Sequence, residues 1–163
     1  MLGQLRRLLA DDGLLGRAPP DAIVAVTDGA AAAYVATRGP PGAAYAGEVW
    51  RVRAPAVNAV NPIGAGDTVS GVMLCALLEG RSPPQALALG MAAASASCRS
   101  LRGADFDLAS LAELAAETTV EQLEGKLSPG PAEGQTAAAE DARSQTEVEA
   151  DLGLGRIVAL YYR

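Results

Sequence analysis

In the opening MLGQLRRLLADDG, Leu2, Leu5, Leu8 and Leu9 recur at helical spacing and Arg6 and Arg7 interrupt the apolar run. That pattern predicts an amphipathic helix rather than a signal peptide. Further on, AIVAVT (22–27) is a short apolar run that predicts a buried strand. Asp28-Gly29 is a turn signal, and AAAYVAT (31–37) predicts a second strand paired with the first. After a Gly/Pro loop, EVWRVRAPAV alternates, with Val49, Arg51 and Arg53 on one side and Trp50 and Val52 on the other. This predicts a strand with one wetter face.

From Ala65 the spacing changes to helical and continues to Leu78, with Gly80 as the stop. A second helix is predicted from Pro83-Pro84 through QALALGMAAASASC toward Gly103. Its many small residues would let another helix or a flat ligand come close. A third, DLASLAELAAE, is expected to start at Asp107 as its N-cap, with TTVEQLEGKL as a shorter helix after it. From about Ser128 both periodicities disappear and Pro, Gly, Glu, Ser and Gln dominate. The expected division is therefore one folded unit over 1–125 and a low-complexity, disordered tail over 126–163. The terminal LGLGRIVALYYR is apolar again and could dock as a strand.

Composition narrows the chemistry. The 163 residues suffice for one core, and with 50% apolar but only 4% aromatic residues, close backbone packing must replace bulky side chains. The net charge of −6 lies mostly in the tail: residues 1–116 hold nine Arg against ten acids, and residues 117–163 hold four Lys/Arg against nine. No basic, aromatic-interleaved face suggests nucleic acid, and no segment suggests a membrane span. Cys75 and Cys98 lie in helical runs and suggest buried thiols, not a disulfide framework. The chain has no histidine, which excludes His-based triads and His-containing metal sites, so general base work must fall to Asp or Glu. No metal site is expected from the protein alone.

The stretch VNPIGAGDTVSGVML (60–74) places Gly64, Ala65 and Gly66 at a strand-to-helix junction. Amides there lack intrahelical acceptors, the helix dipole favours negative charge, and small residues let an anion reach the backbone. Asp67, in the first turn, could point its carboxylate at the same place and take a proton from an attacking hydroxyl, as phosphoryl transfer requires. The plainer alternative is a tight turn followed by a first-turn acid. A Walker A loop would need Gly-Lys-Ser/Thr where the chain has Gly-Asp-Thr, and Val69 stands where the dinucleotide fingerprint needs a small residue.

Taken together, VTDG, VNPIGAGDTVSG and ALALGMAAASASC resemble the C-terminal half of the ribokinase, or PfkB, family of carbohydrate kinases, from about residue 2 to residue 122. The resemblance implies an α/β, Rossmann-like three-layer αβα fold of which this chain has the C-terminal part. It also implies ATP and Mg2+ as cofactors and a sugar or sugar phosphate as acceptor. Asp67 matches the family's catalytic base, and Gly64, Ala65 and Gly66 match its anion hole. Thr27 and Gly29 match an element reaching the nucleotide phosphates, Asn61 stands in the nucleotide-binding motif, and Met91 and Ala94 lie on a helix similar to the one lining the adenine pocket.

Two departures matter. Many sugar kinases of the family have Asp-Thr before the motif, with the Asp linked to a monovalent cation site. Asn61-Pro62 here resembles the phosphofructokinase and tagatose-phosphate kinase branch and leaves a potassium requirement open. Nothing in the chain matches the family's N-terminal half, with its glycine-rich sugar-binding motif and lid, so a truncated chain is expected. Two functions follow: phosphoryl transfer to a sugar hydroxyl, or a non-catalytic half-domain that binds nucleotide or a partner and oligomerises through an exposed sheet edge. A cytoplasmic location is expected, although a targeting segment could precede the matching part.

Overall fold

The computed structural model describes residue 19, residues 22–37 and 47–123, and the backbone of residues 157–161. The helix expected over the first residues and most of the expected tail lie outside the described residues. Strand β1 (Ile23–Asp28) turns through Gly29 into β2 (Ala32–Thr37), and β3 (Val49–Arg53) follows. The three form an antiparallel meander, with Val26 opposite Tyr34 and Val35 opposite Trp50. A connection of three residues between β1 and β2 permits only antiparallel pairing.

Alternation sorts the sheet's side chains. Ile23, Ala25, Ala33, Val35 and Val52 face one side and join the core beneath the helices. Val24, Val26, Tyr34, Ala36 and Val49 form a second buried cluster on the other side. Trp50 packs with the first cluster, whereas Arg51 lies on the opposite face, as the alternation of this strand predicts.

The segment TTVEQLEGKL departs from expectation. Its described part is a strand, β4 (Thr119–Leu123), paired antiparallel to β3. Thr118 and the β-branched residues that follow it disfavour continuing the helix, and the free edge of β3 supplies a ladder. Arg51 and Glu121 stand directly opposite and form an ion pair across it. That bond raises the pKa of Arg51 and lowers that of Glu121.

On the other edge, the terminal apolar run forms β5 (Ile157–Tyr161), parallel to β1, within the stretch expected to be disordered. The sheet order is β4-β3-β2-β1-β5. The described residues show a mixed, mainly antiparallel sheet with helices packed on one face, the part of the expected three-layer α/β arrangement that they include.

Helix α1 (Ala65–Leu78) buries Val69, Met73, Ala76 and Leu77, a single stripe. Gly80, at φ +83°, ends it: Gly80 N–H bonds Leu77 O and Arg81 N–H bonds Ala76 O, a Schellman closure. Helix α2 (Pro83–Cys98) stops short of the expected Gly103 and is buried nearly all round. It lies between α1, the sheet and α3 (Leu108–Glu117), whose Leu114 packs with Ala92 and Ala96 of α2.

The small residues of α2 serve a helix contact. A Cβ built on Gly90 would sit 2.8 Å from Val69 O of α1. Asp107 caps α3 as expected, accepting from Ser110 N–H at 2.8 Å. Among the described residues, no helix is long and apolar enough to cross a membrane.

Two predictions follow from this packing. Gly90→Ala should destabilise the chain by about 1–3 kcal/mol, the usual range for overpacking. Urea denaturation reads this directly, and an unchanged midpoint would mean that α1 and α2 separate without penalty. The second concerns acid. Hydrogen bonds from the Ser110 N–H and hydroxyl hold the Asp107 carboxyl below its ordinary value of about 3.8. A depressed folded pKa contributes stability that is present above the unfolded value and lost as pH falls through the folded one. Asp107→Ala should therefore lower the urea midpoint at pH 6 and flatten its decline below about pH 4.

Candidate functional site

The loop leading into α1 is shaped by sequence first. Asn61 precedes a proline, which restricts it to extended backbone. Asn61 Oδ1 then accepts from Ile63 N–H at 3.0 Å, which turns the chain toward Gly64. Gly64 is the N-cap, left-handed at φ 83° and ψ 0°. A residue with a Cβ is strained in that conformation.

No side chain caps α1. The contrast with the other helices is clear: Asp107 caps α3, and Gln85 Oε1 reaches back to Ser82 N–H at the start of α2. Thr68 turns both its N–H and its Oγ1 onto Gly64 O, each at 2.9 Å, and Ser70 Oγ bonds Gly66 O at 3.1 Å. The hydroxyls near this helix end are thus committed to carbonyls. Asp67 is exposed in the first turn, and none of the ion pairs among the described residues takes up its carboxylate. A helix end with positive dipole, small residues and an available carboxylate is equipped to hold an anion beside a proton acceptor.

The other expected residues are distributed unevenly. Thr27 lies one residue before the end of β1 on the face that carries the helices, is 7% exposed, and is followed after Asp28 by Gly29 in the β1–β2 turn. Met91 and Ala94 lie in the helix–sheet core, at 6% and 7% exposure. Asn61 uses both ends of its amide inside the protein, the second being Nδ2 to Leu101 O at 3.0 Å. The residues missed from sequence are those of the loop after α2. Gly103 lies against Ile63 O, and Arg102 stands exposed between Leu101 and Gly103. Gly103 was the available signal, obscured when α2 was expected to run toward it.

The profile of the pfkB family carbohydrate kinases matches residues 12–109. The chain belongs to the PfkB family. Three solved structures are similar to it. One is a candidate phosphofructokinase from Staphylococcus aureus, at 19% identity and TM-score 0.53, covering 64% of this chain and 31% of that one. Another is phosphofructokinase-2 from Escherichia coli in complex with potassium, at 23% identity and TM-score 0.50, covering 58% and 28%. The third is a candidate 1-phosphofructokinase from Thermotoga maritima, at 22% identity and TM-score 0.54, covering 75% and 34%. At these identities the likeness speaks for the fold. None of the curated proteins matches. This PfkB chain spans about a third of the length of those solved structures.

The geometry of the N-cap makes its own prediction. Gly64→Ala should destabilise the chain by about 1–2 kcal/mol, the penalty of left-handed backbone for a residue with a Cβ. The new Cβ would also lie 3.4 Å from Ala104 N. Equal stability of variant and wild type in urea would show that this residue can leave the left-handed region freely.

Proposed function

We propose that this PfkB chain provides the phosphoryl-donor side and the general base for transfer from Mg-ATP to a hydroxyl of a sugar or sugar phosphate. One observation carries the reading: the N-terminus of α1, which no side chain caps and which left-handed Gly64 opens, has the exposed Asp67 carboxylate in its first turn. Asp67 takes the proton of the acceptor hydroxyl. The acceptor oxygen bonds to the γ-phosphorus as the bridging P–O bond breaks, and ADP leaves. The positive end of the α1 dipole at Gly64-Ala65-Gly66 offsets charge on the transferring oxygens. Thr27 and Gly29 approach the nucleotide phosphates.

Among the described residues, no group of three or more His, Cys, Asp or Glu side chains could hold a metal. Mg2+, which the family resemblance implies, would come with the nucleotide and would supply charge neutralisation there. Asn61, where many sugar kinases of the family have an acid, leaves a potassium requirement open. A second reading of the same helix end is a nucleotide-binding half-domain without turnover.

The test is ADP release with ATP and a panel of sugars and sugar phosphates, for wild type and Asp67→Asn. Acceptor-dependent release should fall at least about 10²-fold in kcat in the variant, with ATP affinity by calorimetry nearly unchanged. An unchanged rate would remove Asp67 from the mechanism. ATP binding with no acceptor-dependent release by the wild type would favour the half-domain.

A further inference from the structure

The 60–64 loop and the 98–104 loop lie against each other with little apolar burial between them. Their large apolar side chains face solvent: Ile63 is 75% exposed and Leu101 84%. Polar contacts must therefore hold the two loops together. Val60 and Asn61 N–H donate to Cys98 O at 2.7 and 3.1 Å. The Asn61 side chain completes the link, donating from Nδ2 to Leu101 O and accepting at Oδ1 from Ile63 N–H, both at 3.0 Å.

An amide is the group this geometry requires. Leu101 O can only accept and Ile63 N–H can only donate, so one side chain must offer both functions in opposite directions. The fit of the second loop is also tight: a Cβ on Gly103 would sit 2.7 Å from Ile63 O. Ala104 holds a left-handed φ of 57°, and its N lies 3.4 Å from where a Cβ on Gly64 would be. A strained residue of this kind persists only where its surroundings hold it.

We propose that Asn61 is a positioning residue whose amide clamps the two loops and so holds Gly64 to Asp67 in the arrangement that phosphoryl transfer uses. The catalytic consequence rests on the kinase reading above. The clamp rests on these contacts alone.

The test uses Asn61→Ala, which removes both bonds, and Asn61→Asp, which keeps the acceptor for Ile63 but turns a carboxylate toward Leu101 O. Amide exchange is followed by mass spectrometry without nucleotide, and kinetics by ADP release. In Asn61→Asp the amides of residues 63–67 should exchange about tenfold faster, the equivalent of one hydrogen bond, and in Asn61→Ala faster still, while those of β1 and β2 keep their wild-type rates. The kcat should fall about 10²-fold with a smaller change in KM for ATP, since displacement of a reacting group acts on the chemical step.

Unchanged exchange at 63–67 overturns the clamp whatever the activity. Faster exchange with wild-type kcat overturns the positioning role. A loosened loop in a protein whose wild type transfers no phosphoryl group overturns the kinase reading and leaves the clamp standing. Asn61→Asp decides the same questions if Asn61→Ala does not fold.

Discussion

The close crossing of α1 and α2 is the constraint from which the rest of the described structure follows. Gly90 brings the backbone of α2 within a Cβ's reach of Val69 O, so α1 can neither rise from the sheet nor roll without losing that contact. The far end of the same helix presents Cys98 O to the amides of Val60 and Asn61. One buried helix therefore sets both the body of α1 and the loop that enters it. An Ala-rich α2 suits this role, because a helix enclosed by two others and a sheet has no free side on which bulk could be placed.

Much of the fold could be read from periodicity. The bounds of α1, the proline start of α2, the Asp107 cap and the two-faced pattern of β3 each have a local cause that survives folding. The β4 segment was different. Its sequence fits a short helix about as well as a strand, and the edge of β3 decided between them, a partner separated by some seventy residues in sequence. The small residues of α2 showed that something packs closely there but could not distinguish a helix from a ligand. The structure places α1 at Gly90, with Met91 and Ala94 turned into the core.

The candidate site was legible in part because GAGD carries its chemistry in four adjacent residues. Glycines at a helix start and an acid one turn in need no long-range information to suggest an anion beside a base. The support for that segment was not legible. Asn61 drew attention as a motif residue standing where many relatives have an acid. Its use depends on Leu101, forty residues away and reached only after two helices have been completed. Contacts of this kind leave no periodic trace, and a glycine such as Gly103 shows only that something approaches, not what.

The rotational setting of α1 joins packing to chemistry. At about 100° per residue, Asp67 and Val69 lie roughly 200° apart around the helix, on nearly opposite sides. Burying Val69 at the Gly90 crossing therefore turns Asp67 outward, and the same rotation buries Thr68, whose hydroxyl and amide both close on Gly64 O. Rolling the helix to bring the carboxylate inward would expose Val69 and Met73 and break the close contact with α2. The apolar stripe and the carboxylate are thus one commitment. The core that stabilises α1 also fixes the direction in which the proposed base faces, so altering one without the other requires a change on the α2 side of the crossing.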